Sequence, residues 1–268
     1  MTDALQPPSL PVLVTGAAGK LGRDLVPSLV AMGWRLRLTD IAPFPDPLPP
    51  GCEFIAADLN DRDAIVNLAQ GCASIVHLGG LVEYGTFETV LGPNLRGVYH
   101  VFEAALAHGL RVVYASSNHV IGFHERETVL DKESTYRPDS FYGLSKVFGE
   151  MVARFYWDRN GVESVSLRIG SCFPEPKQER MLATWLSRGD MARLVAHSVT
   201  APSTGFAVVW GASNNAASWW RGDDRARIGW TPQDSADAYA GTFPPAGQGV
   251  ADRFQGGGFC EVGYTRND

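Results

Sequence analysis

Residues 139–146, "DSFYGLSK", set Tyr142 one helical turn ahead of Lys146. Side chains four residues apart share one face of a helix, so a phenol and an ammonium can enter the same pocket. A free phenol has a pKa near 10, too high for a base at neutral pH, and a neighbouring cation favours its phenolate. The pair has the makings of a proton acceptor and its tuner. Such a spacing also arises by chance, so its meaning depends on what the chain places around it.

The elements that would position it begin with "PVLVTGAAGKLGRDLVPSLVAMGWRLRLTD". A short apolar strand passes through a glycine turn into a helix with Leu21, Leu25, Leu29 and Met32 at helical spacing. Gly33 supplies a stop, and "RLRLTD" alternates like a strand. The alternation goes on through "CEFIAA", "DRDAIVNLAQG", "ASIVHL", a helical stretch over 87–108 broken near Gly92 and Pro93, "LRVVYAS", a helix over 140–160 and "ESVSLRIG". Strand and helix in regular turn imply a parallel sheet covered on both faces, an α/β chain of the doubly wound kind. After Gly170 the alternation fades. "FAVVW" reads as one more strand, "TPQDSADAYAG" as a short capped helix, and the glycine-rich tail as irregular. We expect one domain over 1–268, with a dinucleotide-binding core over 11–170 and mainly a small substrate-binding cap and tail over 171–268.

"TGAAGKLG" carries Gly16, Gly19 and Gly22 between the first strand and the first helix. Glycines there allow a tight turn, close backbone approach to a pyrophosphate, and packing of helix on strand. The free N–H groups of the helix start then face the phosphates. Asp40 ends the second strand, where a carboxylate accepts from the adenosine ribose and repels the 2′-phosphate of NADP; Ile41 offers no compensating cation. NAD is therefore the expected cofactor, although an aspartate there also suits a plain turn. Asp58, followed by Leu59, could accept the adenine amino group or cap the next helix. Leu78, Gly79 and Gly80 follow the fourth strand, where missing side chains let a cofactor come close. Ser117 ends the strand "VVYASS", at the sheet edge where such folds bind ligands. It would hold a substrate hydroxyl while Tyr142 takes the proton and hydride leaves for NAD⁺; Lys146 could also hold the nicotinamide ribose.

Composition narrows the class. The 268 residues are 45% hydrophobic and 19% charged, as in a globular protein with a sizeable core. Lys and Arg number 23 against 29 Asp and Glu, a net charge of -6 without a basic run, which argues against a nucleic-acid partner. Cys52, Cys72, Cys172 and Cys260 are far apart, with neither a C-x-x-C pair nor a histidine cluster, so no metal site and no disulfide framework is expected. No apolar run approaches the roughly 18 residues of a membrane span, and the first residues lack the basic and apolar regions of a signal peptide. A cytoplasmic setting is the expectation.

In order, "TGAAGKLG", Asp40, Asp58, "YASSNHVIG" and "YGLSK" resemble the extended short-chain dehydrogenase/reductase superfamily over residues 12 to about 170. The resemblance implies a Rossmann-type sheet, NAD, and the trio Ser117, Tyr142 and Lys146. Asn94 in "GPNLRG" matches that superfamily's helix asparagine, implying a proton relay through the lysine; as a residue alone it could cap a helix. The match also carries cofactor contacts to Gly16, Gly19, Lys20, Leu21 and Gly22, and to Ile169 and Cys172 beside the nicotinamide.

A narrower set, "SSNHVIG", "RIGSCFPEPK", "RMLATWLS", "VVWGAS", "ASWW", "IGWTPQDSA" and "RFQGGGF", resembles the uronate dehydrogenase family almost to the C-terminus. It implies oxidation of a cyclic hexuronic acid at C1 to an aldarolactone. Arg180 would then grip the carboxylate bidentately, the alternative being a surface helix cation. Asn118 and His119 would read ring hydroxyls, with His119 alternatively closing a strand end, and Ser171 would sit nearby. Arg168, inside an apolar strand, suits a buried ion pair, and Cys172 has no base beside it. One departure stands out: Val82 in "LGGLVEYG" occupies the place of the family's serine, and "VEYGTF" reshapes the loop over the site. An acidic sugar is the expected small-molecule partner, with a homodimer or higher homo-oligomer as the superfamily's habit. A sugar or sugar-nucleotide epimerase or dehydratase, a dehydrogenase for another hydroxylated substrate, and a non-catalytic NAD sensor are the alternatives.

Overall fold

Hydrophobic runs become strands buried along most of their length. In the computed structural model, which describes residues 6–45, 47–82 and 85–266, the elements begin with β1 (Val12–Thr15), α1 (Lys20–Ala31), β2 (Leu36–Thr39) and β3 (Cys52–Phe54). Next come α2 (Arg62–Ala69), β4 (Ser74–His77), α3 (Phe87–Val90), α4 (Gly97–His108) and β5 (Arg111–Ser117). α5 (Phe141–Asn160), β6 (Ser164–Ile169), β7 (Ser171–Cys172), α6 (Met181–Thr184), β8 (Trp185–Leu186), α7 (Arg188–Thr200) and β9 (Phe206–Gly211) follow. Seven strands pair in parallel in the order β3-β2-β1-β4-β5-β6-β9. β7 and β8 form a separate two-stranded ladder. The order reverses between β1 and β4, the switch point where such sheets bind ligands at their carboxyl edge.

Helices cover both faces, as expected from the alternation. One core packs Leu25, Val26, Leu29 of α1 with Leu194 and Val195 of α7; the other packs Ile65, Val101, Phe102 and Tyr156. The apolar face of α1 differs in detail from its periodicity: Val26 is buried, while Met32 lies past the helix end and is exposed.

Residues 91–96 form a wide π turn between α3 and α4. Pro93 has no N–H to donate, so regular helix geometry fails there, and Asn94 is turned inward and buried. α5 starts on a Ser140 cap, whose Oγ accepts from Gly143 N at 3.0 Å, and ends at Gly161 with φ +71°. This fixes the helix that carries Tyr142 and Lys146. Beneath it, Arg168 donates from Nη2 to Glu150 Oε2 at 2.8 Å with both side chains buried. Ser116 and Tyr136 donate to the same carboxylate at 2.5 and 2.7 Å, completing the buried ion pair expected for Arg168.

The alternation does not end at Gly170. α7 and β9 form another crossover unit, and β9 is the outermost strand of the main sheet, so part of the stretch read as cap belongs to the sheet. The stretch "TPQDSADAYAG" holds only a single 3₁₀ turn at Asp237–Tyr239 in place of the expected helix. Its backbone donors are drawn elsewhere. Gln233 N and Asp234 N donate to the buried Asp190 at 2.8 and 2.9 Å, and Ala236 N donates to Asn215 Oδ1 at 2.9 Å. Among the described residues no helix is long and apolar enough to cross a membrane.

Candidate active site

Two cavities of about 460 and 580 Å³ open along the carboxyl edge of the sheet. Gly16, Gly19, Leu78 and Gly80 border both, so the two form one groove over the switch point. Gly16 has φ +70°, and a Cβ there would fall 2.5 Å from Gly79 N; a Cβ on Gly79 would meet Leu59 Cδ1 at 2.7 Å. The β1 turn and the end of β4 can approach this closely only as glycines. Gly22 borders neither cavity: its missing Cβ would meet Ala17 O at 2.4 Å, so the glycine lets α1 pack against the turn that precedes it.

The smaller cavity has the features of an adenosine end. Asp40 accepts from Ala18 N at 3.0 Å and Ala42 N at 3.1 Å, which fixes its carboxylate beside the glycine turn. Ile41, Asp58 and Leu59 line the same space. Asp58 Oδ1 accepts from Asn60 N and Nδ2, each at 2.9 Å. It does not cap α2; Asp61 does, accepting from Ala64 N at 3.0 Å. Lys20 and Leu21 lie on the larger cavity, with Lys20 Nζ donating to Cys172 O at 2.8 Å and resting 3.6 Å above the Phe173 ring. Burial lowers the Lys20 pKa. A groove with backbone close to its floor, an uncapped α1 N-terminus and a carboxylate at the far end suits a dinucleotide.

Ser117, Tyr142 and Lys146 converge in the larger cavity with Ile169, Ser171 and Cys172. The Ser117 hydroxyl lies beside the Tyr142 phenol, close enough to lower its pKa. Burial pushes the phenol up to about 12, against the lowering effect of Ser117 and with that of the Asp139 charge. Lys146 lies beside the phenol and not on it: Nζ donates to Ala115 O at 2.8 Å and is 5.5 Å from the Tyr142 ring centre. Burial draws the Lys146 pKa down to about 8. Desolvation thus outweighs the tuning expected of the lysine. Burial lifts the Cys172 thiol to about 11, which removes it as a nucleophile.

Of the two roles expected of Asn94, the structure sets aside the helix cap. Its Oδ1 accepts from Leu81 N at 2.7 Å, while Nδ2 donates to Leu81 O at 3.0 Å and Ser145 Oγ at 2.9 Å. With its carboxamide spent on these partners and not on Lys146, it clamps the loop after β4 and caps no helix. That loop carries Val82, which is 64% exposed at the cavity wall. Residues 83 and 84 of the "VEYGTF" stretch lie outside the described residues.

At the other end stands Arg180, buried against the cavity wall and not on the surface. Nε donates to Gln255 O at 2.6 Å and Nη1 reaches Ser171 Oγ at 3.5 Å; with the Asn118 carboxamide oriented so that both its ends are satisfied, its oxygen accepts from Nη2 at 2.8 Å. The Asn118 amide donates in turn to Ile169 O at 3.1 Å. Among the described residues no carboxylate oxygen comes within 4.0 Å of this guanidinium. Burial draws its pKa down to about 10, with Arg126 acting in the same direction. His119, expected to read hydroxyls, lines the cavity with its ring centre 4.0 Å from that of Phe259 and 5.7 Å from that of Tyr142.

Sequence reasoning left out the C-terminal wall. Gly256, Gly258 and Phe259 line the cavity, as do Phe173, Gln178 and Met181. Gly257 has φ +65°, and its missing Cβ would meet Arg180 Cδ at 2.9 Å. The glycine run in "RFQGGGF" was the available signal, since three glycines together permit just this close approach. Gln255 anchors the run: its Nε2 donates to Thr128 O at 2.8 Å, and its Oε1 accepts from Trp220 Nε1 at 2.9 Å.

Known proteins share this architecture. The NAD dependent epimerase/dehydratase family matches residues 12–230. Uronate dehydrogenase of Pseudomonas putida is 44% identical over 257 residues, covering 94% of this chain and 96% of that protein. A glucuronic acid dehydrogenase structure from Chromohalobacter salexigens superposes with a TM-score of 0.89 at 42% identity, covering 94% and 97% of the two chains. A variant of uronate dehydrogenase from Agrobacterium tumefaciens complexed with NAD gives 0.88 at 44% identity, covering 93% and 96%. At this identity and coverage, the chain belongs to the NAD dependent epimerase/dehydratase family and, within it, to the uronate dehydrogenases.

Proposed function

We propose that this chain oxidises the C1 hydroxyl of a cyclic hexuronic acid of the glucuronate or galacturonate type to an aldarolactone, using NAD⁺. The observation that carries the substrate class is Arg180: a buried guanidinium without a carboxylate partner among the described residues, on the wall of the cavity that holds Ser117, Tyr142 and Lys146. A buried cation left unpaired is costly, and a bidentate substrate carboxylate satisfies it. The membership in a uronate dehydrogenase family and the NAD complex of a relative agree with it.

Asp40, Asp58 and the glycine turn would hold the adenosine and pyrophosphate, and Lys146 with Ile169 and Cys172 the nicotinamide end. When bound, NAD⁺ supplies the acceptor for the C1 hydride and a positive ring near the phenol. The chain supplies the rest. Arg180 and Asn118 orient the sugar from its carboxylate end, and Ser117 holds the C1 hydroxyl against the Tyr142 phenolate, which takes its proton. The Lys146 ammonium keeps positive charge beside that phenolate. Phe173, Met181 and Phe259 exclude water from the reacting face.

α5 adds a second feature. Phe141, Leu144, Phe148, Met151 and Phe155 stand exposed at alternating spacings of three and four, an unpaired seam along the helix. This face supports a homodimer built by two copies of α5. The four cysteines are free, which suits a reducing cytoplasm. Product analysis tests the reaction: with galacturonate and NAD⁺, one lactone should form per reduced nicotinamide. An epimerised sugar formed without net reduction would replace this reading with that of an epimerase.

A further inference from the structure

We propose that Asp139 is a positioning residue that fixes the ring tautomer of His119, so that the pocket presents a bare imidazole nitrogen to a donating hydroxyl of the substrate. The inference rests on the sugar-binding reading of the cavity and adds to it the hydrogen-bond polarity at one ring position.

Asp139 carries a carboxylate whose side chain is 0% exposed. Its Oδ2 lies 2.6 Å from His119 Nδ1, and its Oδ1 accepts from Ser140 Oγ at 2.8 Å. An ionised carboxylate only accepts, so Nδ1 must be the donor. A neutral imidazole carries one proton, and with that proton on Nδ1, Nε2 is left as an acceptor. The ring itself is held in place: Phe259 packs on it at 4.0 Å between centres, and His119 N donates to Ser117 Oγ at 3.2 Å.

The fold makes room for this carboxylate from three directions. A Cβ at Gly122 would lie 1.8 Å from Asp139 Oδ2, at Gly256 2.0 Å from the same oxygen, and at Gly143 3.1 Å from Oδ1. Those glycines come from the turn after β5, from the C-terminal tail and from α5. Three segments converge on a group that pairs with no Lys or Arg side chain among the described residues and whose ring partner is the His119 imidazole. A residue needed only to cap α5 would not require it, because Ser140 already does so. The arrangement fixes ring orientation and protonation in the way that buried carboxylates do for other working histidines.

The expected selectivity is directional. A sugar whose hydroxyl reaches Nε2 donates to it and is favoured; one bearing an ether or no oxygen at that position is not. Asp139→Asn keeps the size and the Ser140 contact, yet its amide can either donate to or accept from Nδ1, so it no longer enforces one tautomer.

Two measurements test this. Nitrogen-15 NMR of the histidine-labelled wild-type protein near pH 8 should show His119, assigned by loss of its signals in His119→Ala, protonated on Nδ1. In Asp139→Asn the Nε2-protonated form should appear. Kinetically, Asp139→Asn should lower kcat/KM for the uronate by on the order of tenfold to a hundredfold, mainly through KM, with NAD⁺ affinity unchanged. Added to His119→Ala, it should cost less than a further twofold. An Nε2-protonated His119 in the wild type overturns the proposal even if no variant folds. So does an Asp139→Asn penalty that persists in full without His119, since that would mark a structural role. Inactivity of the wild type on every uronate would refute the substrate reading and leave the tautomer result standing.

Discussion

With its carboxamide oriented to satisfy both neighbours, Asn118 accepts from Arg180 Nη2 at 2.8 Å, one residue after Ser117, whose hydroxyl lies beside the Tyr142 phenol and lowers its pKa. Consecutive residues at the end of β5 thus join the Arg180 end of the cavity to its Tyr142 end. The span between them is set by the backbone. Arg180→Ala should therefore raise KM for uronates by about tenfold to a hundredfold, the worth of a charged hydrogen bond, with much less effect on kcat. Arg180→Lys should recover only part of this, since an ammonium lacks the fork. Initial rates over a range of uronate concentrations give both constants. An equal loss on neutral aldoses would contradict the assignment.

Tyr142→Phe should lower kcat by roughly a hundredfold to ten-thousandfold, with NAD⁺ binding retained as measured by calorimetry. The pH dependence follows from the phenol. Burial pushes its pKa up to about 12, and in its proposed role as base it must be deprotonated to act. Uronate oxidation should thus rise with pH through the neutral and alkaline range. The Ser117 hydroxyl lowers that pKa, so Ser117→Ala should shift the rising limb to higher pH as well as reduce its height. A limb that stays in place in Ser117→Ala would mean that another group is being titrated.

Much of this was legible because the chemistry sits in local motifs. Gly16, Ser117, Tyr142 and Lys146 announce themselves by spacing and by their place at strand ends or on one helix face. Arg180 was reached only through resemblance, because its surroundings come from the tail more than seventy positions away at Gln255. α7 escaped the pattern for a related reason. Met191, Ala192, Leu194, Val195, Ala196 and Ser198 are all buried, so the helix is covered around much of its girth and shows no clean apolar stripe. Asn94 could be placed on its helix but not oriented, since the π turn that aims it depends on Pro93 and the loop at Leu81.

Stability should fall in acid through His77. It is fully buried with Nδ1 2.7 Å from Thr15 Oγ1, and burial, then the Lys146 charge, holds its pKa down to about 3. The unfolded imidazole titrates near 6.5. Below that pH the unfolded chain binds a proton that the native chain does not, so stability drops as pH falls from about 6.5 toward 3, by on the order of 5 kcal/mol at most. Urea midpoints at pH 7.5 and 5 measure the slope. His77→Asn, which keeps a partner for Thr15 and does not titrate, should flatten it; an unchanged slope would point to other groups.

Phe148→Glu places a charge in the middle of the exposed α5 seam and away from the cavity. Light scattering should give a dimer for the wild type and a monomer for the variant. A wild-type monomer would contradict the pairing of two α5 helices.

The central claim is that one cavity joins alcohol oxidation to recognition of a carboxylate. It is tested most directly by absorbance at 340 nm with NAD⁺, comparing glucuronate and galacturonate with glucose and galactose, in the wild type and in Arg180→Ala. We predict a preference for the uronates of at least about tenfold in kcat/KM, the worth of one charged hydrogen bond, collapsing in Arg180→Ala. Equal rates on the neutral sugars, or a preference that survives the loss of Arg180, would contradict it.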